Sequence, residues 1–261
     1  MMELNRIYNE DCLEGMKRIP DKSVDMILCD LPYGTTACKW DTIIPFKPLW
    51  EQYERVIKDN GAIVLTASQP FTTVLINSNF DMFKFCLVWD KDKPGNFALA
   101  KKRPLISHED IVVFYGKQPT YNPQMTESGS NRDRQKKSYT RPTSSSVGMA
   151  SGVFKASKTH NEGLRYPKSI LRYKRNWRPQ DSDHPTQKPT NLFEYLIKTY
   201  TNKGETVLDN CMGSGTTAIA CMNTNRNYIG FELDKTYYEK SLERIKNHAT
   251  QNELFDVLEG N

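Results

Sequence analysis

The chain has 261 residues, of which 38% are hydrophobic and 26% are charged, a composition typical of soluble globular proteins. This length suits one large domain, or one domain that carries a substantial insertion. The sequence contains no run of eighteen apolar residues, and its first residues lack the apolar core of a secretory signal. We therefore expect a cytoplasmic protein without a spanning helix, while the net charge of +5 is too modest to identify a partner.

Cysteine and histidine usage argues against a metal site. The six cysteines form no Cys-x-x-Cys pair, which predicts reduced thiols and no zinc. They are Cys12, Cys29, Cys38, Cys86, Cys211 and Cys221. The four histidines include no His-x-x-x-His spacing, so a structural or base-pocket role is favoured for His108-Glu109 over metal binding or acid–base chemistry.

Residues 1–118 alternate apolar, strand-like runs with helical patterns. The predicted strands are 24–30, 61–66, 85–89 and 110–115, and an amphipathic helical stretch covers 46–57. The regular pattern returns over residues 183–250, with a short tail at 251–261. There the sequence predicts a helix that includes Leu192 and Leu196, strands at 206–209 and 228–232, and helices at 215–222 and 235–247. Strands that alternate with helices imply a largely parallel sheet covered on both faces, so the predicted fold is α/β.

Residues 119–182 have a different texture, rich in Ser, Thr, Pro, Asn, Arg and Lys, with no sustained apolar period before Ile170-Leu171. We interpret them as a loop-rich insertion. Between Arg132 and Arg178 thirteen basic residues are offset only by Asp133 and Glu162. Such a block is typical of a segment that faces phosphates, although a solvated basic loop is the alternative. The candidate DNA-binding residues are Arg132, Arg134, Lys136, Lys137, Arg141, Arg172, Lys174, Arg175 and Arg178.

A strand, a glycine turn and a helix follow one another around Gly213. The strand ends in Asp209, Gly213 and Gly215 allow backbone to approach a ligand closely, and the helix N-terminus favours an anionic group. The next strand ends in Glu232, where an acid can accept both hydroxyls of a ribose. These features favour an adenosine-containing cofactor over an ordinary turn with a chance acid. Gly213 and Gly215 are not followed by a third glycine in this turn, so no pyrophosphate cradle is indicated.

A second constellation, Asp30-Leu31-Pro32-Tyr33, directly follows a buried strand, where residues of a parallel sheet face the ligand crevice. It supplies a carboxylate, a constrained backbone and an exposed aromatic ring. An exocyclic base amine is a poor nucleophile, and two acceptors on its hydrogens, the Asp30 carboxylate and the Leu31 carbonyl, would make it more reactive, while Tyr33 could stack on the base. Taken alone, the segment is equally good turn chemistry, and the turn would then be the preferred interpretation.

Together, the two constellations resemble the amino-methylating DNA methyltransferases in which a D-P-P-Y motif precedes an F-x-G-x-G motif. The resemblance covers most of the chain outside the middle segment. It also rests on Asn9 to Leu13, Ile19 to Asp25, Trp89, Lys91, Pro94, His108-Glu109 and the hexapeptide His184 to Pro189. The sequence departs from the family at Leu31, where proline is usual, and at Asn210-Cys211, where Pro-Phe is usual. Neither departure removes a charged or hydrogen-bonding side chain, so an active enzyme is expected.

The resemblance implies a Rossmann-like, S-adenosylmethionine-dependent methyltransferase fold, with a mostly parallel seven-stranded sheet, helices on both faces and a circularly permuted element order. It implies S-adenosylmethionine as cofactor and double-stranded DNA as substrate, with no metal. Residues 1–118 would be the catalytic half of the domain, 119–182 the target-recognition insertion and 183–250 the cofactor-binding half. Homodimers are common in this family, but no feature of the sequence indicates an interface.

Carried over by residue, Asp30, Leu31, Pro32 and Tyr33 would be catalytic, and Asp30 would also face the cofactor. The implied cofactor residues are Asp11 and Cys12 at the adenine, Glu232 at the ribose, Asp209, Cys211, Met212, Gly213, Ser214, Gly215, Thr216 and Thr217 at the methionine part, and Thr186, Gln187 and Lys188 closing the pocket. Lys188 could pair with the cofactor carboxylate. The alternative is a solvated residue at the start of a helix.

The family associates an initial Asp in the motif mostly with adenine N6 and an initial Ser with cytosine N4, so Asp30 favours N6-adenine methylation after base flipping. N4-cytosine methylation is the rival within the class. A nicotinamide-dependent oxidoreductase and a catalytically silent DNA-binding module are the rivals from other classes. The missing third glycine and the Asp30 to Tyr33 segment disfavour the oxidoreductase, and a silent module would not need that segment intact.

Overall fold

The computed structural model describes residues 2–35, 41–95, 97–127, 134–136, 139–140, 153–154, 157–159, 163–174 and 187–259. The chain forms two compact units, one of residues 1–122 and 168–261 and a smaller one of residues 123–167. In the part of the chain covered by these ranges, no helix is long and apolar enough to cross a membrane.

The larger unit is built on one sheet, and its elements are numbered in chain order through both units. Its strands are β1 (Arg6–Tyr8), β2 (Val24–Asp30), β3 (Ile57–Ala67), β4 (Phe83–Gly95), β5 (Ile106–Phe114), β12 (Ile170–Arg172), β13 (Thr206–Asp209) and β14 (Asn227–Phe231). Its helices are α1 (Cys12–Met16), α2 (Phe46–Val56), α3 (Phe71–Ser78), α4 (Thr190–Tyr200), α5 (Thr216–Thr224) and α6 (Lys235–Glu259). The strand order is β1-β14-β13-β2-β3-β5-β4-β12. Every neighbouring pair is parallel except the two that include β5.

Both faces of the sheet are covered, because successive side chains of a strand point to opposite faces. In β2, Ile27 and Cys29 pack with α1, α2 and α3, whereas Met26 and Leu28 pack with α4 and α5. The helices show the matching period. In α4 the buried residues Leu192, Phe193, Leu196, Ile197 and Tyr200 fall on one face. The predicted α/β fold with a largely parallel, doubly covered sheet is confirmed.

The expected number of strands was too low, since the sheet has eight strands rather than seven. Neither β1 nor β12 is among the six strands located in the sequence. Strand β12 pairs in parallel with β4, with Leu171 opposite Trp89. It falls within the range 119–182 that the sequence predicts to be inserted. The sequence shows no sustained apolar period in that range before Ile170-Leu171, and two residues are too few to specify a strand without a partner beside them.

The described residues of the smaller unit include three short antiparallel pairs. They are β6 (Thr126–Glu127) with β11 (Leu164–Arg165), β7 (Arg134–Lys136) with β10 (Ser157–Thr159), and β8 (Tyr139–Thr140) with β9 (Val153–Phe154). Its start lies a few residues after the predicted position 119. Asn122 belongs to the larger unit, because its amide nitrogen donates to the Thr199 carbonyl at 2.7 Å and its side chain donates to the Thr201 carbonyl at 3.0 Å.

The last helix, α6, is longer than predicted and includes most of the range 251–261 that we expected to be a tail. The sequence from His248 to Glu259 contains neither glycine nor proline, so nothing in it ends a helix. The apolar period on which the prediction depended ends before the helix ends.

Candidate active site

Asp30 is the last residue of β2, at the carboxyl end of a central strand. Its Oδ1 atom accepts hydrogen bonds from the Tyr33 hydroxyl (2.9 Å) and from the Thr66 hydroxyl on the neighbouring strand β3. Its Oδ2 atom lies 2.5 Å from Nζ of Lys188. A carboxylate offers about four acceptor positions. The described side chains thus use three of them and leave one on Oδ2.

Tyr33 is half-buried rather than the exposed ring that the sequence suggested. Its ring stacks on Phe71, with centroids 5.0 Å apart and planes inclined by 24°, and the Lys188 ammonium lies 5.8 Å from its centroid. Burial, followed by the nearby Asp30 charge, raises the pKa of the Tyr33 phenol well above its usual value. The hydroxyl is therefore a neutral donor that holds Asp30 in place.

Lys188 is buried, with 6% of its surface exposed, so a solvated position is wrong. Its ammonium group contacts Asp30 and also Oε2 of Glu109 at 3.4 Å, while Oε1 of Glu109 is 2.9 Å from Nζ of Lys91. Burial lowers the pKa of Lys188, but the Asp30 and Glu109 carboxylates outweigh it and the net shift is upward. Two carboxylates and two ammonium groups thus form a buried, charge-balanced row, Asp30–Lys188–Glu109–Lys91.

The glycine turn joins β13 to α5. Gly215 has φ +78°, and a Cβ atom there would lie 3.3 Å from the Ser241 Cβ, so both backbone conformation and space favour glycine. Asp209, at the end of β13, accepts from the Cys211 amide at 3.0 Å and from the Thr217 hydroxyl, which fixes the turn. Burial raises the pKa of the Asp209 carboxyl to about 6, although those donors oppose the shift.

Glu232 follows β14 and also braces the turn. One of its carboxylate oxygens accepts from the Gly213 amide at 2.8 Å and the other from the Asp234 amide at 2.9 Å. The Leu233 amide also hydrogen-bonds this carboxylate, which leaves about one of its four acceptor positions for a ligand hydroxyl. Burial raises the pKa of Glu232. Asp11 caps α1 by accepting from the Leu13 amide at 2.8 Å.

A further group of side chains consists of thiols and one amide. Asn210 accepts a hydrogen bond from the Tyr53 hydroxyl, and its side-chain nitrogen lies 3.6 Å from Sγ of Cys12 and 3.5 Å from Sγ of Cys211. Burial raises the pKa of the Cys29 thiol to about 12. The pKa values of Cys12 and Cys211 are also raised. The chief cause for Cys12 is hydrogen bonding with the Cys211 thiol, and the causes for Cys211 are contact with Cys29 and burial. These thiols are protonated and weakly nucleophilic.

These residues surround one cavity of about 830 Å³, which lies entirely within the larger unit. The predicted site residues that line it are Asp11, Cys12, Asp30, Leu31, Pro32, Tyr33, Gln187, Lys188, Asp209, Cys211, Met212, Gly213, Ser214, Thr216, Thr217 and Glu232. Gly215 does not line the cavity and instead shapes the turn. Thr186 lies outside the described residues.

Sequence reasoning missed several lining residues. They are Glu10, Leu13, Thr35, Asp41, Thr42, Ile43, Ile44, Pro45, Phe193, Leu233, Asp234, Lys235 and Tyr237. Leu233 and Asp234 could have been inferred from their position directly after Glu232. No comparable signal marks 41–45, which precede α2 and reach the cavity only because Asp41 accepts from the Gly34 and Thr35 amides at 2.8 and 2.9 Å.

The candidate DNA-binding residues are only partly described. Arg172 and Lys174 are exposed in and after β12, near Asp90 and Asp92 at 3.5 and 3.7 Å. Arg134 and Lys136 lie in β7 of the smaller unit. Arg132, Lys137, Arg141, Arg175 and Arg178 lie outside the described residues. Within the described ranges, no group of three or more His, Cys, Asp or Glu side chains is arranged to hold a metal ion.

Comparison with known proteins agrees with this geometry. A family model described as DNA methylase, for N6 and N4 methyltransferases, matches residues 24–243. The DNA adenine methyltransferase YhdJ of Escherichia coli K12 is 28% identical over 275 residues, which cover 98% of this chain and 88% of YhdJ. The chain shares its fold with the M1.HpyAVI–SAM complex (TM-score 0.61, 24% identity, 92% of this chain and 98% of that one). It also shares it with the cytosine-N4-specific PvuII DNA methyltransferase (TM-score 0.66, 14% identity, 96% and 93%). Because the family model covers most of its length, this chain belongs to the family of DNA methylases that modify adenine N6 or cytosine N4.

Proposed function

We propose that this protein transfers a methyl group from S-adenosylmethionine to the N6 amine of adenine in double-stranded DNA. The observation that carries the proposal is that Asp30, which keeps one acceptor position on Oδ2, lines the cavity together with the glycine turn. An acceptor there suits a group that must lose a proton as it is methylated.

The cavity fits S-adenosylmethionine in size and in charge. A volume of about 830 Å³ is in the range of small-molecule sites. Eight acidic residues line it and two lysines oppose them, which favours a cationic ligand. The acids are Glu10, Asp11, Asp30, Asp41, Glu109, Asp209, Glu232 and Asp234. We assign Glu232 to the ribose, Asp11 and Cys12 to the adenine, and the turn from Asp209 to Thr217 to the methionine part.

The sulfonium of S-adenosylmethionine supplies a methyl group that is already activated for transfer. The protein must therefore orient the target amine and accept its hydrogens. Asp30 Oδ2 would accept one amine hydrogen and the Leu31 carbonyl the other, which directs the nitrogen lone pair towards the methyl group. Thr66 and Tyr33 hold the carboxylate in that orientation through Oδ1. A target base inside a duplex cannot reach this cavity, so it must be flipped out, at a cost of a few kcal/mol.

Adenine is preferred over cytosine for two reasons. The motif begins with Asp30, which the family associates mostly with adenine N6. YhdJ, which matches almost the whole chain, is named as an adenine methyltransferase. The likeness to the cytosine-specific PvuII enzyme concerns the fold, at 14% identity. We further propose that residues 119–182, with their basic block, read the target sequence, phosphate contacts positioning the DNA and a few side chains reading base edges.

Nucleoside analysis of DNA from a methylation-free host that expresses this chain tests the proposal. We expect N6-methyladenine, and sequencing with modification-sensitive reads should show it at one defined site. N4-methylcytosine would assign the rival base. The absence of both modified nucleosides, together with DNA binding, would instead support a silent DNA-binding module.

The pH dependence of cofactor binding is a second test. Burial raises the pKa of Asp209 to about 6, so this carboxylate becomes neutral as the pH falls through 6 and is ionised, and attracts the cationic cofactor, above it. The pKa of Glu232 is also raised by burial, which acts in the same direction. We expect the affinity for S-adenosylmethionine, measured by isothermal titration, to fall about tenfold between pH 7.5 and 5.5, since one pKa unit corresponds to about 1.4 kcal/mol. S-adenosylhomocysteine, which lacks the sulfonium charge, should show a smaller change. Equal pH dependence of the two ligands would contradict this assignment.

A further inference from the structure

The loop that joins β4 to β5, residues 97–105, is strongly basic. Lys101, Lys102 and Arg103 lie in it, Lys93 precedes it at the end of β4, and no acidic residue occurs between positions 93 and 105. All four cations are exposed. None of them makes an ion pair within the described part of the chain, unlike Arg172, which faces Asp90. Their charge is therefore available to an outside partner.

The sheet register places this loop beside the cavity. Asp30 lies opposite Thr66, and Thr66 lies opposite Ile111 of β5. The strands β4 and β5 then continue together as far as the pair Gly95 and Ile106. Ile106 precedes Ile111 by five residues along β5. The base of the loop therefore lies about 16 Å beyond the row of paired residues that contains Asp30, in the direction in which β2 ends. The loop thus projects from the edge at which a flipped base would enter.

The loop also presents an aromatic ring to solvent. Phe97 is 68% exposed, at the start of a short 3₁₀ turn. The loop backbone has its own hydrogen bonds, from the Ala100 amide to the Phe97 carbonyl (3.1 Å) and from the Lys102 and Arg103 amides to the Leu99 carbonyl (2.8 and 3.0 Å). An exposed phenylalanine between cations is the arrangement found where protein rings stack on or wedge between bases next to a phosphate backbone.

We propose that the β4–β5 loop is a DNA-contacting surface separate from the basic block of the middle segment. Lys101, Lys102 and Arg103 bind backbone phosphates beside the target nucleotide, and Phe97 packs against the base stack that the flipped base leaves. The inference rests on the proposed function, because it requires DNA to be the substrate. The contact depends on the charge and shape of DNA rather than on its base sequence, so it should strengthen binding equally at all DNA sites.

The test compares two variants of the full-length protein with equal charge. The loop variant is K101Q/K102Q/R103Q. The control is K22Q/K117Q/K203Q, at exposed positions near the opposite edge of the sheet. Binding to a mixed-sequence duplex is measured between 50 and 200 mM salt. We expect the loop variant alone to lose about tenfold or more in affinity, with a salt slope smaller by roughly 2–3, since each phosphate contact contributes about 0.9. The KM for DNA should rise in parallel, with the Kd for S-adenosylmethionine unchanged.

The ring is tested separately by F97A, with F97W as the restoring variant. We expect F97A to keep the wild-type salt slope but to lower the fluorescence rise of 2-aminopurine at the methylated position, and F97W to recover it. Equal losses in the loop and control variants, or an unchanged salt slope in the loop variant, would overturn the inference and leave the loop to another kind of partner. Methylation by the wild type distinguishes these outcomes from failure of the proposed function, which would appear as no methyl transfer at all.

Discussion

Replacing Asp30 with alanine should abolish methyl transfer while S-adenosylmethionine still binds. The variant loses the acceptor that faces the cavity, and such a group in proton-transfer chemistry contributes about 10²–10⁴-fold to the rate. The fold should persist, because Lys188 keeps Glu109 as a partner at 3.4 Å. Single-turnover methylation of DNA with radiolabelled cofactor measures the rate, and isothermal titration measures cofactor binding.

The matched control for this variant is Asp59→Ala. Asp59 pairs with Lys22 and Lys117 at the surface, far along β3 from the cavity, and exposed pairs contribute about 0–1 kcal/mol to stability. Its methylation rate should therefore equal that of the wild type. Full activity in Asp30→Ala would exclude the carboxylate from the reaction.

Replacing Lys188 with methionine should lower kcat strongly, by about 10²-fold, with a much smaller change in the Kd for S-adenosylmethionine. Breaking a buried ion pair by removing one partner costs about 3–5 kcal/mol, and here Glu109 would keep Lys91 as a partner whereas Asp30 would lose its ammonium partner. Because the pKa of Lys188 is raised, its pairing stabilises the fold below the ordinary lysine pKa of 10.5 and is lost only as pH rises through the higher value. The defect should thus appear across the whole neutral range.

Three further variants distinguish catalysis from stability. Lys188→Arg keeps the charge and should recover part of kcat even if it shifts the melting temperature. Lys91→Met removes the other ammonium, which contacts Glu109 but not Asp30, and should lower stability more than kcat. In Asp30→Ala/Lys188→Met the rate should match that of Asp30→Ala alone. A raised Kd for the cofactor with normal kcat at saturation would instead mean that Lys188 holds the cofactor carboxylate.

Much of the fold was predictable from local patterns. The strands that end in Asp30 and Asp209, and the helices α2, α4 and α5, were placed within a few residues, because their apolar periods continue over several turns or a whole buried strand. The errors fell where such periods stop. β12 is three residues long, and the end of α6 lies beyond its apolar face. The helix continues there because the composition of the segment is compatible with a helix, which the apolar period does not show.

The residues of the candidate site likewise include some that the sequence predicted and some that it did not. The turn from Cys211 to Thr217 and the acids Asp30 and Glu232 were predicted, since each lies at or just after the carboxyl end of a strand. The environment of Tyr33 was not, because stacking on Phe71 depends on how α3 returns across the sheet. The pairing of Lys188 with Asp30, 158 residues apart, was likewise beyond the sequence.

By itself, then, the sequence determined which residues stand at strand ends and can face a ligand, including Asp30, Asp209 and Glu232. Only the tertiary structure decided that Lys188 links Asp30 to Glu109, and that the β4–β5 loop projects beside Asp30. The physical reason is that the apolar period of a segment indicates only which face of its own helix or strand a residue lies on. Which elements become neighbours depends on the burial of the whole sheet, through the order β13-β2-β3-β5-β4.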